Sequence, residues 1–138
     1  MGLNRPRIYL DACIIIYFLE EHPRFGDPIG HAIEFAPDRL FCASPLVELE
    51  CLVAPLRDNN RSLLERYEDF FREQIVLEIE TPIYRLAAEL CARHRLKTPD
   101  ALHLATAQYH GCAEIWTNDN RLNDAAGGMA VNVLAGVL

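Results

Sequence analysis

The chain has 138 residues, 51% of them hydrophobic, a mean hydropathy of +0.01 and a formal net charge of −7. That length suits one domain over residues 1–138 with a core that needs no staple, and no apolar run approaches the roughly 20 residues of a membrane span. The longest such run, Ala12 to Leu19, is bounded by Asp11 and Glu20-Glu21 without a small-residue cleavage site, which excludes a signal peptide.

Residues 7–11 (Arg7-Ile8-Tyr9-Leu10-Asp11) read as a short buried strand. Periodicity does not decide Ala12 to Glu20, but a strand that long is unusual, so a helix is expected. Pro and Gly mark residues 21–28 as a loop, followed by a helix to about Phe35 and a second strand, Leu40 to Ala43. Ser44-Pro45 starts a helix, as N-cap and first-position proline. Its apolar stripe is Leu46, Leu49, Val53 and Leu56, and Pro55 kinks or ends it. After a turn at Asn59-Asn60, residues 61–73 place Leu63, Leu64, Tyr67, Phe70 and Phe71 on one helical side, core first and partner contact second. Gln74 to Ile79 is a third strand. Thr81-Pro82 caps a helix burying Ile83, Leu86, Ala87 and Leu90. Thr98-Pro99 caps another, which runs to about His110 and stops at Gly111 in the C′ position. Cys112 to Thr117 is a fourth strand, Gly127-Gly128 a turn, and Met129 to Leu134 a fifth strand. Strands alternating with helices predict a three-layer α/β/α fold, with a mostly parallel central sheet of four to five strands.

Five cysteines stand at 13, 42, 51, 91 and 112, an odd number with no Cys-x-x-Cys pair. They fit reduced, mostly buried thiols in a cytoplasmic protein and exclude a disulfide frame or structural zinc site. The acidic balance argues against a nucleic-acid binder. Setting aside four acids around metal ions turns −7 into −3 for the rest, however, and cations can bridge an acidic enzyme to phosphates.

In sheets of this kind, sites form outside the carboxyl ends of the strands. Asp11 ends the first strand, Asp119 follows the fourth, and Asp100 opens a helix. Each has an ordinary reading alone: an N-cap, a turn, and an acid favoured by a helix dipole. Together they recur at the ends that one face of the sheet gathers. Glu50 and Glu48 flank the stripe of their helix, about 90° and 110° from its centre, and geometry leaves both open as a fourth acid. Oxygen ligands of this kind suit Mg²⁺ or Mn²⁺. Crowded carboxylates repel and raise some pKa values, and a bound metal relieves that strain. It can then activate water and steady the leaving oxygen of a phosphodiester, so phosphodiester hydrolysis is the expected reaction class.

Tyr9-Leu10-Asp11, Ser44-Pro45-Leu46-Val47-Glu48-Leu49-Glu50-Cys51-Leu52, Pro99-Asp100-Ala101-Leu102-His103-Leu104-Ala105-Thr106-Ala107 and Trp116-Thr117-Asn118-Asp119 resemble the motifs of PIN-domain ribonucleases, in particular VapC toxins of type II toxin–antitoxin systems. The likeness spans about residues 8–122, and the segment around Asp100 is its most specific piece. It implies a parallel sheet flanked by helices and a Mg²⁺- or Mn²⁺-dependent endoribonuclease that cuts structured RNA, often transfer RNA. It also implies a homodimer inhibited by a VapB-like antitoxin. The family's acids fall on Asp11, Glu50, Asp100 and Asp119; the second follows a serine by six positions, which selects Glu50 over Glu48. Thr117 matches a polar member that contacts water or the metal shell. Where the family often has a small polar residue after the first aspartate, this chain has Ala12 and Cys13.

Three further groups have two readings each. His103 shares the helical face of Asp100 and either supports the site or contacts RNA, or is simply packed or capping. Arg121 could touch a phosphate or neutralise the acids. The run Arg93-His94-Arg95-Leu96-Lys97 could meet phosphate or an acidic antitoxin segment, or complement a helix dipole. A housekeeping PIN nuclease and an inactive PIN-like scaffold are the alternative functions. A filled acid set counts against the scaffold, and Cys13 excludes a haloacid-dehalogenase-type phosphatase, which needs an aspartate there.

Overall fold

Five parallel strands lie in the order β3-β2-β1-β4-β5, with β1 (Arg7–Leu10) in the middle. Its neighbours are β2 (Leu40–Ala43) and β4 (Glu114–Trp116), and the edges are β3 (Ile75–Val76) and β5 (Ala130–Val131). The structure is a computed structural model that describes residues 5–135. The domain expected over 1–138 thus extends, at residues 1–4 and 136–138, outside the described residues. Ile8, Tyr9 and Leu10 are each no more than 1% exposed, as a strand covered on both faces must be. Ile8 sits opposite Phe41 on one side and Glu114 on the other, and Tyr9 opposite Cys42 and Ile115.

The chain steps from β1 through β2 to β3 at one edge, then crosses back to β4 and β5. Right-handed crossovers put the helices of the outward steps on one face and those of the return steps on the other. The packing follows that rule. α1 (Ala12–Leu19), α2 (Gly26–Glu34), α3 (Pro45–Arg57) and α4 (Arg61–Glu73) form one packed group. A second group holds α5 (Thr81–His94), α6 (Thr98–Tyr109) and α7 (Leu122–Ala126). The three-layer parallel expectation therefore holds. Strand order reverses between β1 and β4, where the diverging connections open a crevice at the carboxyl ends.

Local chemistry sets the helix limits. Ser44 Oγ accepts Val47 N–H at 3.3 Å and Pro45 takes the first position of α3. Asn60 does the same for α4 through Leu63 N–H at 3.2 Å. Beyond α6, Gly111 adopts φ 70°, a conformation open to glycine without strain. Tyr67 and Phe71 of α4, and Ile83, Ala87 and Leu90 of α5, enter the core as their spacing predicts.

Several expectations are corrected. The stripe Leu46, Leu49, Val53 and Leu56 does not face the core: Leu49, Val53 and Leu56 are 59%, 51% and 58% exposed, and α3 instead buries Val47, Cys51 and Pro55. Cysteine and proline stand at two of the three core positions, so a stripe of large aliphatics points to the wrong side. Pro55 does not stop α3, which runs on to Arg57. The third strand shrinks to Ile75–Val76 because its partner β2 ends at Ala43, where the α3 cap begins; Leu77 N–H still reaches Ala43 O at 2.8 Å. The fifth likewise keeps only Ala130–Val131, opposite Ile115 and Trp116. The fourth is trimmed to Glu114–Trp116. Glu80 and Lys97, not Thr81 and Thr98, are the N-caps of α5 and α6, with no side-chain cap bond. α7 was not expected: five residues are too few for a hydrophobic period, and its only sequence mark is Gly127, which ends it at φ 60°.

All five cysteines are free. No helix among the described residues is long and apolar enough to cross a membrane.

Candidate active site

β1 delivers Asp11 to the carboxyl edge of the sheet, where its two carboxylate oxygens have separate tasks. Oδ1 accepts Ala12 N–H at 2.7 Å and caps α1. Oδ2 accepts the hydroxyl of Thr117 at 2.8 Å. The capping reading and the site reading of Asp11 therefore coexist. The Asp11 N–H also donates to Trp116 O at 3.0 Å, extending the β1–β4 ladder. Thr117, buried just beyond β4, accepts Asp119 N–H at 3.0 Å through the same hydroxyl oxygen. One threonine thus fixes two acids from opposite ends of the chain.

α3 and α6 supply the next group. His103 is 2% exposed; its Nε2 lies 2.6 Å from Glu50 Oε1 and 3.9 Å from Asp11 Oδ1. Its Nδ1 lies 2.7 Å from the hydroxyl of Tyr9, which is 2.7 Å from Ser44 Oγ. Ligand atoms of Asp11, Glu50 and His103 all lie within 4.8 Å of one another. Asp100 stands in the first turn of α6, and Asp119 is tied to Asp11 through Thr117. Arg121 grips Asp119 with Nε at 3.0 Å from Oδ1 and Nη2 at 2.8 Å from Oδ2, and its Nη2 is 3.9 Å from Asp100 Oδ2.

The electrostatics report the same convergence. Burial first, then the charges of Asp119 and Asp11, push the Asp100 carboxyl above its ordinary range. The bidentate guanidinium of Arg121 holds Asp119 below it. Burial, then the Asp11 charge, raises the Cys13 thiol to about 12, so that it stays protonated beside the carboxylate. Burial likewise drives the Tyr9 phenol up.

Asp11, Glu50, Asp100, Asp119, Thr117, His103 and Arg121 are thus all brought around one crevice. Glu48 is not among them: it lines a separate groove with Leu52, Glu68, Phe71 and Arg72, and its carboxyl is raised by partial burial and by Glu78. The sequence reading missed Tyr9 as a member, and took Ser44 only as a helix cap. A lone hydroxyl inside the apolar run Ile8-Tyr9-Leu10 was the available signal, because a buried phenol needs a polar partner. Where Ala12 and Cys13 lack a hydroxyl or amide, Thr117 supplies the hydroxyl that Asp11 receives. Beside Asp100, a cleft is lined by His94, Arg95, Lys97, Arg121 and Asp124. Arg95 caps α5 with φ 56°, which turns the chain sharply into this rim.

Asp11, Glu50 and His103 therefore make a candidate metal site, to which the two carboxylates bring hard oxygen donors. The acids thus lie where a parallel sheet reverses its strand order, the place at which open α/β domains form their sites. Residues 8–128, from β1 to the Gly127-Gly128 turn, match the PIN domain, and the chain belongs to that family.

Solved structures share the fold. A toxin–antitoxin complex from Klebsiella pneumoniae contains a chain 24% identical, with a TM-score of 0.74 over 91% of this chain and 97% of that one. VapBC2 from Rickettsia felis, bound to a DNA fragment from its promoter, gives 16% identity and a TM-score of 0.76, over 91% and 98%. VapC20 of Mycobacterium tuberculosis, a toxin that cleaves the sarcin–ricin loop, gives 15% and 0.71, over 95% and 96%. No curated protein matches by sequence.

Proposed function

We propose that this PIN domain is a Mg²⁺- or Mn²⁺-dependent endoribonuclease, the toxin of a type II toxin–antitoxin pair, acting as one domain in the cytoplasm on structured RNA such as transfer RNA. The convergence of Asp11, Glu50, Asp100 and Asp119 on one crevice carries the reading, with the Asp100 carboxyl raised by burial first and then by the charges of Asp119 and Asp11. The solved relatives support it: two are toxin–antitoxin assemblies and one cleaves RNA. On this reading the partners are RNA, a VapB-like antitoxin and a second copy of the chain.

The roles follow from the positions. Asp11, Glu50, Asp100 and Asp119 would hold the cation, which supplies an activated water and charge relief at the leaving oxygen. Thr117 and the α1 backbone hold Asp11 in one orientation, so no rearrangement is needed as charge develops. Arg121, exposed at the rim, can meet the phosphate beside the cut, and Arg95 and Lys97 can track the adjoining backbone.

Expression tests the proposal. The chain should arrest growth, a small antitoxin encoded beside it should restore growth, and Asp11→Asn should be harmless. RNA-end sequencing after brief induction, with Asp11→Asn as control, would show new ends at discrete sites. Purified protein should cut RNA with Mg²⁺ and stop on chelation. Full cleavage by Asp11→Asn would overturn the assignment, and cleavage without growth arrest would favour a housekeeping nuclease.

A further inference from the structure

Ser44, Tyr9, His103 and Glu50 form one unbroken row of hydrogen bonds: 2.7 Å from Ser44 Oγ to Tyr9 OH, 2.7 Å from Tyr9 OH to His103 Nδ1, and 2.6 Å from His103 Nε2 to Glu50 Oε1. Ser44 and Tyr9 are fully buried and His103 nearly so. In such a place each donor hydrogen needs an acceptor, and that requirement fixes the direction of the row.

Val47 N–H donates to Ser44 Oγ. Among the described residues, Val47 and Tyr9 are the two partners of that oxygen. The Ser44 hydroxyl must therefore donate to Tyr9. Tyr9, with one hydrogen, then donates to His103 Nδ1. A neutral imidazole accepting at Nδ1 carries its proton on Nε2, which donates to Glu50. The opposite direction fails twice: the buried Ser44 hydroxyl hydrogen has no acceptor, and a bare Nε2 lone pair faces a carboxylate oxygen at 2.6 Å.

Distance alone makes His103 a candidate metal ligand, since its ring nitrogen belongs to the close group with Asp11 and Glu50. The hydrogen-bond direction says otherwise. The geometry points to His103 as a positioning residue: Ser44 and Tyr9 lock it in the Nε2–H form, so that it holds Glu50 for the metal and is itself withheld from it. Outer partners of this kind set the orientation and basicity of metal ligands. The inference rests on reading the four acids as a metal centre. It leaves that centre with oxygen donors alone, which favours Mg²⁺ and Mn²⁺ over imidazole-seeking Zn²⁺ or Ni²⁺. Ser44 also caps α3, the helix that carries Glu50, so helix position and side-chain orientation share one anchor.

Two measurements test it. In the metal-free protein, nitrogen-15 NMR of the imidazoles should find the His103 proton on Nε2; a proton on Nδ1 overturns the inference, and no variant needs to fold for that result. In the second, Mn²⁺ binding is followed by electron paramagnetic resonance. Tyr9→Phe, which removes the donor to Nδ1 and touches no acid, should weaken Mn²⁺ binding by about 10- to 100-fold while melting stays cooperative. Affinity within about twofold of the parent, with Glu50→Gln clearly weakened, would refute the positioning role alone. If Glu50→Gln also binds Mn²⁺ as the parent does, the metal centre itself is misassigned at Glu50.

Discussion

The hydroxyl of Thr117 donates to Asp11 Oδ2 across 2.8 Å, although 106 residues separate the two in the chain. Strand pairing makes this possible: Leu10 lies beside Trp116, so the residues that follow each emerge side by side. Thr117→Val keeps the shape and removes the donor. It should weaken Mn²⁺ binding by about 10- to 100-fold, because Asp11 loses the bond that orients its second oxygen. The α1 cap survives, since Ala12 N–H uses the other oxygen. A Mn²⁺ titration of the variant checks this, and unchanged affinity would count against Asp11 as a ligand.

Asp11→Asn and Asp100→Asn should each reduce RNA cleavage by on the order of 100-fold or more, through loss of metal-borne charge stabilisation worth several kcal/mol. Single-turnover assays on a defined RNA, with circular dichroism showing an intact fold, would measure it.

Stability should respond to pH with opposite signs at two acids. Asp100 titrates higher in the folded chain than in the unfolded one, so its ionisation works against the metal-free fold as pH rises through that raised pKa. Asp100→Asn should therefore melt above the parent at neutral pH, with the gain fading as pH falls below that window. Asp119 titrates lower when folded, because Arg121 holds it. Its contribution is complete above the ordinary carboxylate pKa and is lost as pH falls through the depressed value. Asp119→Asn should melt below the parent at neutral pH and converge with it in acid. Thermal melts without metal across this range decide both.

The sequence made the fold class legible, and it marked Asp11, Asp100 and Asp119 as candidates, because these depend on short-range signals. Helix starts at Ser44-Pro45 and Asn60, and acids directly after apolar strands, are local facts. Choosing Glu50 over Glu48 was beyond them, since both flank the helix at similar angles. The resemblance chose, and α6 meets the side of α3 that carries Glu50, with His103 Nε2 2.6 Å from its carboxylate. The apolar stripe of α3 misled for the converse reason. Which side of a helix is buried depends on what covers it, and Cys51 and Pro55 carry little hydrophobic signal.

That corrected face gives its own prediction. Leu49→Lys or Val53→Glu should change monomer stability by no more than about 0.5 kcal/mol, as exposed substitutions do. Val47→Ala, on the buried side, should cost roughly 1.5–3 kcal/mol. Chemical denaturation of the three variants distinguishes the faces, and equal losses would restore the original orientation.

Lys97 is the sole lysine of the sequence and lines the basic cleft beside Asp100. Lys97→Glu should raise the RNA KM about tenfold and lower its salt dependence by about one contact, with kcat little changed. An amine-reactive probe should label Lys97, and bound RNA should protect it.

β4 sits beside β1 at the middle of the sheet, yet the ribosome makes it more than 100 residues later. Until that strand emerges, Asp11 lacks its threonine and Asp119 does not exist. A chain still under synthesis, or one cut short by a premature stop, therefore holds no finished blade. On the nuclease reading, arming waits for β4, and the machinery that makes the chain meets no assembled acid cluster before then.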